Sequence, residues 1–362
     1  MGFLEKQRIL QPLVLTGAGE LSRDIPKDTV IKRIGLRLSG AIQTTYSGTP
    51  AARADSIFHS LVNSVKIIAN GGRVIKNVQP HLIRMQSLLN TGIQGERGSS
   101  AAASASALKP TVDGGFVFGA TTQYTTVAET LTLPFEFIWS KLEAERMTTW
   151  FDTRNLSSCE LRLAQNPFTS LQSAANTASV TYSSSTLQVD ITLVEAVGVP
   201  AAMKFLDFRQ TTKDVPFTAQ VTNSQIEINR GNSLCGLLFY AKDGAAGSST
   251  TATDRLASNE LITDLSLKLN GSIDLKSTNW KNLQAENRAT YGFYAPYASN
   301  VSQVDGIAHL NFIRNSIGDA VNTGKGVDSL YLYVSTNSSS NVSYTNTTFL
   351  TIQTDELAEI SQ

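Results

Sequence analysis

The three histidines, His59, His81 and His309, are the side chains whose type best suits metal or proton chemistry near neutral pH. Their spacing matches neither HExxH nor HxH, the patterns that bring two imidazoles to one metal. The two cysteines, Cys159 and Cys235, form no CxxC pair. Each lies in an apolar, strand-like run, so the sequence predicts buried free thiols, consistent with assembly in a reducing cytoplasm. No GxSxG nucleophile elbow occurs. Asn322-Thr323-Gly324-Lys325-Gly326 offers a Gly-Lys pair but lacks the first glycine of a phosphate-binding loop. Glycoside hydrolysis needs two acids flanking one bond. Glu136, Asp152, Asp190 and Glu195 are acids of the right type, but nothing in their spacing brings two of them together. Glu143, Glu145 and Arg146 read as a solvated helix face. Phe135, Phe137, Trp139, Tyr331 and Tyr333 alternate with aliphatics, which predicts sheet packing rather than a platform for sugars or single-stranded nucleic acid. The sequence therefore predicts no catalytic, cofactor-binding or metal-binding residues, and no enzyme.

Composition points the same way. Lys plus Arg and Asp plus Glu both number 30, giving a net charge near zero and no global signal for specific nucleic-acid or membrane binding. From Met1 to Arg84 the balance is locally basic, 12 cations against 5 anions, and reads as solvated strand faces or, in the sharper alternative, as a basic surface beside phospholipid or nucleic acid. No run reaches the ~18–20 apolar residues of a membrane-spanning helix. The opening MGFLEKQRILQPLVL places Glu5, Lys6, Gln7 and Arg8 where a signal peptide needs its apolar stretch, so no secretion signal is read.

The elements around these residues follow a period of two, the signature of half-buried strands. Strands are predicted over Val30–Leu38, Ser64–Ala69, Arg73–Val78, Thr130–Trp139, Cys159–Ala164 and Leu187–Val194. Pro80 opens a short helix, HLIRMQSLLN, and a second follows Trp139. In the second half, strands are predicted over Ser224–Asn229, Leu234–Ala241, Leu261–Leu269, Ser272–Leu275, Ile307–Arg314, Leu330–Val334 and Thr348–Thr354. The Ser/Thr/Ala-rich stretches Ile93–Gly115, Pro167–Ser185 and Lys242–Asn259 read as surface loops.

The two halves match in order. SVKIIANGG and DLSLKLNGS place Asn70-Gly71 and Asn270-Gly271 200 positions apart. Asn-Gly tolerates the positive φ of a tight hairpin. FEFIWSK is matched to LNFIRNS, CELRLAQN to LYLYVSTN, and LQVDITLVEA to FLTIQTDELA. The period is domain-sized, and 362 residues suit two domains. The predicted division is an N-terminal arm over 1–15, a first β domain over 16–199, a linker over 200–214 and a second β domain over 215–362.

The repeated strand order, the Leu133-Pro134-Phe135-Glu136-Phe137 segment with a helical insertion after it, and the paired Asn-Gly hairpins together form a pattern. It resembles the double-jelly-roll major capsid proteins of the tectivirus–corticovirus–adenovirus lineage, whose members build tailless icosahedral viruses. The resemblance covers nearly the whole chain and rests on organisation, not on a diagnostic motif. It implies an all-β fold of two tandem eight-stranded antiparallel jelly rolls with a few short helices in loops. It implies a homotrimer of pseudo-hexagonal outline that packs against neighbouring capsomers and against penton and minor capsid proteins in a virion assembled in the host cytoplasm. The family commonly encloses a lipid membrane, which the amphipathic start (Phe3, Leu4, Ile9 and Leu13 beside Lys6 and Arg8) would then contact. The competing reading of a polar, loop-rich β protein is a carbohydrate- or receptor-binding sandwich of the fibre or spike type. A two-domain β-sandwich glycosidase or lyase using Glu136 or Asp152 is a third.

Overall fold

A computed structural model describes residues 3–52, 56–91, 97–101, 116–172, 176, 178–184, 186–242, 257–291, 306–340, 342, 344 and 348–358. The first half contains β1 (Leu4–Val14), β2 (Glu20–Asp24), β3 (Val30–Ser47), α1 (Ile57–Leu61), β4 (Val62–Ala69), β5 (Arg73–Val78), α2 (Pro80–Thr91) and β6 (Arg97–Ala101). It continues with β7 (Tyr124–Pro134), α3 (Glu143–Met147), β8 (Phe151–Asp152), β9 (Cys159–Gln165), β10 (Ser179–Ser183) and β11 (Gln188–Val197). The second half contains β12 (Asp207–Pro216), β13 (Ser224–Glu227), β14 (Ser233–Lys242), β15 (Ile262–Leu269), β16 (Ile273–Asn279), α4 (Trp280–Tyr291), β17 (Ile307–Asn311), β18 (Val321–Asn322), β19 (Leu330–Thr336) and β20 (Phe349–Ala358).

The two halves repeat one strand plan. In the first, β1-β11-β3-β7 forms one sheet and β5-β4-β9-β2 the other. In the second, β12-β20-β14-β17 and β16-β15-β19-β13 reproduce both orders strand for strand. Each half is thus a two-sheet, eight-stranded jelly roll, with β6, β8, β10 and β18 as additions at sheet margins. Alternation decides what each sheet buries. Ile34, Leu36 and Leu38 of β3 face Val65, Ile67, Leu161 and Leu163 in the core of the first roll. Leu237, Phe239, Leu265, Leu267, Leu332 and Val334 fill the second.

The repeat extends to single hydrogen bonds. Asn70 and Asn270 adopt φ of 51° and 49° at their hairpins. Asn70 N–H donates to Ser158 O, and Asn270 N–H donates to Ser329 O. Each side-chain oxygen accepts from the backbone just ahead of the next strand, Ser157 N for Asn70 at 2.8 Å and Asp328 N for Asn270 at 2.7 Å. The asparagine thus serves both turn geometry and strand docking. Replacing Asn270 with Ala puts a less tolerant residue at positive φ and deletes the side-chain bonds. Denaturant unfolding should show a loss of about 2 kcal/mol, and Asn270→Gly, which tolerates the φ, should lose less.

Several expectations change. Residues 4–14 are not an arm: Leu10 faces Ile191 and Leu13 faces Val189, making β1 a full strand of the first roll. The interval read as a linker ends in β12, which pairs with β20 along its whole length from Asp207–Ala358 to Pro216–Phe349. The strand expected over Thr130–Trp139 begins at Tyr124 and stops at Pro134. The alternation in Phe135, Phe137 and Trp139 imitates a strand, but Phe135 stacks on Phe151 at 4.7 Å while Phe137 meets Phe208 of the second roll at 5.3 Å. Pro167–Ser185 contains a 3₁₀ turn and β10. Most of Ile93–Gly115 and Lys242–Asn259 lies outside the described residues. The helix α4 has no counterpart in the sequence reading.

Two strand matches shift register. Phe135 N–H donates to Lys32 O and Phe312 N–H to Cys235 O, so Phe135 corresponds to Phe312, two residues from the sequence match. Bulges at Val194/Glu195 and at Leu234/Gly236 make Glu195 the counterpart of Glu356, one residue away. Alternation every two residues leaves the first, two-residue shift open, and β20, buried on both faces from Leu350 to Ala358, has no wet face to fix the second.

Candidate functional site

The residues of chemical interest converge where the rolls meet. β5 of the first roll and β12 of the second pair in parallel, Gln210 opposite Lys76 and Thr211 opposite Asn77, so one sheet runs through both rolls. Beside this junction α2 lies against the outer face of the second roll. Leu82, Met85, Leu88 and Leu89 of α2 pack with Phe137, Trp139, Phe208, Cys235, Leu238, Tyr240 and Leu357. β14 is therefore buried on both faces, with every residue from Leu234 to Lys242 buried.

Inside this apolar seam sits a polar cluster drawn from both rolls. Lys76 Nζ donates to Gln210 Oε1 at 2.7 Å, and Gln210 Nε2 donates to Asp355 Oδ1 at 3.0 Å. Asp355 also accepts from Gln353 Nε2 at 2.8 Å and Trp139 Nε1 at 2.6 Å. The Lys76 ammonium lies 3.9 Å from the centroid of the Phe208 ring, a cation–π contact. Lys76, Gln210, Gln353 and Asp355 are all fully buried. Burial pushes the Asp355 carboxyl up, opposed by its donors and by the Lys76 charge. Burial likewise pushes the Lys76 ammonium down. At one end of the seam Gln79 Nε2 donates to both carboxylate oxygens of Asp214, at 3.0 and 3.2 Å. At the other, Asp207 pairs with Arg73 and, at 3.5 Å, with Arg209.

His309 belongs to the same seam. Its ring stacks near Trp139, centroids 4.2 Å apart, and its Nδ1 shares a 2.5 Å hydrogen bond with Tyr291 OH. Full burial depresses its pKa to about 3. It fits because β14 carries a glycine beside it: a Cβ on Gly236 would lie 2.9 Å from His309 Nε2 and 2.7 Å from Leu310 O. His59 and His81 lie together, centroids 5.5 Å apart, and His81 packs on Tyr240 at 4.1 Å. Among the described residues, no three His, Cys, Asp or Glu side chains gather as a metal group.

The acids weighed for hydrolysis are each held by separate partners. Glu136 lies 3.5 Å from Lys32 and 3.3 Å from Arg146. Glu195 meets Arg8 at 2.8 Å, and Asp190 accepts from Ser39 at 2.9 Å. Asp152 lines a cleft of about 890 Å³ with Asn70, Arg73, Met203 and Asp207. There it grips the Arg154 guanidinium at 2.8 Å. Burial raises its pKa, but the hydrogen bonds and charge of Arg154 outweigh that and hold it below the usual carboxylate value. Glu145, read as solvated, instead accepts from Ile317 N at 3.0 Å and ties α3 to the second roll. Thr323 is buried, and the Gly-Lys turn around it joins β18 to β19 with no helix behind it, unlike a phosphate loop. Cys159 and Cys235 are buried and free, and burial raises the Cys159 thiol to about 12. Tyr331 and Tyr333 are half-buried on the outer face of β19.

Many cations of the basic N-terminal stretch have anionic partners. Arg8 pairs with Asp28 and Glu195, Lys32 with Glu5 and Glu136, and Lys66 with Glu20. Sequence reasoning missed the seam, because Lys76, Gln210 and Asp355 resemble solvent-side residues of alternating strands. One signal was present: the unbroken apolar run of β14, where its counterpart β3 alternates. Among the described residues no helix is long and apolar enough to cross a membrane.

No protein-family model matches the sequence, and no curated protein matches it. Solved structures do. The STIV MCP superposes with a TM-score of 0.65 at 13% identity, covering 98% of this chain and 96% of that one. The major capsid protein P2 from bacteriophage PM2 gives 0.57 at 10% identity, covering 99% of both chains. A chain of the PBCV-1 virus capsid gives 0.55 at 10% identity, covering 98% of this chain and 94% of that one. Strand order, internal repeat and end-to-end superposition agree that this chain has the double-jelly-roll fold found in these viral capsid proteins.

Proposed function

We propose that this chain is the major structural subunit of an icosahedral virus shell and does not act as an enzyme. The observation that carries the reading is coverage: both rolls, in order, account for nearly all of this chain and nearly all of the STIV MCP. A shell subunit needs stiffness and side walls, not a reaction centre. A continuous sheet through two fused rolls supplies the stiffness, and the polar seam locks them together. In this reading three chains form a pseudo-hexagonal capsomer, which meets its neighbours and the penton and minor proteins in a virion assembled in the host cytoplasm. The division into two domains, with the joint at residues 198–206 between β11 and β12, belongs to the same proposal.

The test is the mass of the purified full chain by sedimentation. With a subunit of 39.0 kDa, a trimer has three times that mass, about 117 kDa. A stable monomer at every concentration, never entering particles, would overturn the reading. Contact with an enclosed membrane is a separable part of it. Leu4 and Ile9 are 77% and 80% exposed on β1, while Leu13 is buried and Phe3 packs on Trp150. Flotation with anionic vesicles tests this part, and failure to float would remove the membrane contact alone.

A further inference from the structure

We propose that the free edge of β16 in one copy joins the free edge of β1 in a second copy, repeating between chains the β5–β12 junction formed within the chain. The inference rests on the self-association proposed above and names the surfaces that carry it.

The strand plan gives the motive. β5 and β12 each have strand partners on both sides because they pair with one another. Among the described residues their counterparts, β16 and β1, each pair on one side only, with β15 and β11. Each roll therefore has one edge of each kind. The chain satisfies the inner two and leaves the outer two open. Open edges invite pairing unless charge, proline or a bulge blunts them. β1 carries Glu5, Lys6, Arg8 and Pro12 and is irregular between Leu10 and Leu13, but Leu4 to Leu10 form an unbroken ladder with β11, and β5 pairs with β12 despite the same bulge that β16 carries.

The repeat also assigns the contacts. Lys6 faces Glu195 as Arg209 faces Glu356, so Leu4 stands where Asp207 stands and Gln7 where Gln210 stands. The β4–β5 and β15–β16 hairpins carry the same bulge, skipping Ile75 and Leu275, so Ile273 corresponds to Arg73 and Lys276 to Lys76. The Arg73–Asp207 pair of the seam then becomes Ile273 against Leu4. Both are large apolar side chains left exposed, at 52% and 77%. The Lys76–Gln210 hydrogen bond becomes Lys276 with Gln7. Two apolar residues on two separate open edges thus fall opposite one another when the internal junction is repeated. Nothing in the folding of a single chain requires either to be apolar.

The helices follow. α2 is sunk in the seam, whereas α4, at the same place in the second roll, exposes Lys281, Glu286 and Arg288. The sheet face it would cover in the next copy carries Arg37 and Asp190, with side chains 48% and 34% exposed. The contact between copies is therefore polar around an apolar point, where the contact within the chain is largely apolar. It joins two different surfaces, so repetition either closes a ring or extends a filament.

Leu4→Cys and Ile273→Cys are combined in the full chain and treated with a short bismaleimide. The native thiols Cys159 and Cys235 are buried. Covalent species of two and three chains are expected on denaturing gels from the double variant, and none from either single variant. Ile273→Asp should weaken association at least tenfold while leaving the melting of the dissociated chain unchanged. If the chain sediments as a trimer but the double variant yields no cross-linked species, this interface is wrong and self-association stands. If the unmodified chain sediments only as a monomer, the reading of self-association fails with it.

Discussion

Asp355→Ala should cost about 3–5 kcal/mol of folding free energy, the usual penalty for removing the group that compensates a buried charge. The carboxylate accepts from Gln210, Gln353 and Trp139 inside a fully buried seam. Removing it leaves these three donors without their acceptor and takes from the buried Lys76, which donates to Gln210, the negative charge that offsets it; each uncompensated donor costs free energy on its own. Net stability of a folded domain is only about 5–15 kcal/mol, so the loss is a large share. The residues involved come from both rolls, so the variant should also loosen their coupling. Guanidinium unfolding followed by tryptophan fluorescence, which reports Trp139 in the seam, should move to lower denaturant and broaden or split. Asp355→Asn keeps one acceptor oxygen and should lose less. An unchanged midpoint for Asp355→Ala would show that the seam is not a major source of stability.

Acid should act through His309. In the folded chain its pKa is depressed to about 3 from the usual 6.5, because full burial penalises the charged ring. Below pH 6.5 the unfolded chain takes up a proton that the folded chain refuses. Stability is therefore fully present above 6.5 and declines as pH falls toward 3, by about 1.4 kcal/mol per unit. Over the whole window the loss is on the order of 5 kcal/mol. Carboxylates with depressed pKa values, such as Asp152, lose stability at the acid end as well. The diagnostic quantity is the difference between the unmodified chain and His309→Gln. The variant should show a pH profile flatter by about one proton between pH 6 and 4. Parallel profiles would exclude His309 as the acid-sensitive group.

What the sequence disclosed follows from what each residue must satisfy locally. Asn70-Gly71 and Asn270-Gly271 were legible because a tight hairpin demands positive φ, and few residue pairs supply it. Most strands were legible because one face of each is wet and the other dry. The fold class followed from those strands and from the repeat. α4 was not legible: Trp280, Leu283 and, at its last position, Tyr291 are its large anchors, and the other positions of WKNLQAENRATY are mostly polar, as in a loop. The seam was least legible of all. Its members lie far apart in sequence, and a buried lysine bonded to a glutamine looks, residue by residue, like any exposed polar pair. The contrast between continuous β14 and alternating β3 is its one local trace, since a strand buried on both faces has no polar side to show.

The pairing of β1 with β11 constrains the order in which the molecule can come into being. Leu4 is matched with Val197, so β1 cannot find its neighbour until nearly two hundred further residues have been synthesised. At ordinary translation speeds of ~5–20 residues per second, that wait lasts roughly 10–40 seconds. β12 repeats the delay in the second roll, since its whole length is matched to β20. Each roll is closed by its own final strand, so the first can complete itself while the second is still emerging from the ribosome. Asp355 lies on β20, and the seam therefore locks only after both rolls exist. Until β11 is made, Leu10 and Leu13, which the finished roll packs into its core, sit on an unpaired segment, so the nascent first roll is the stage most exposed to aggregation.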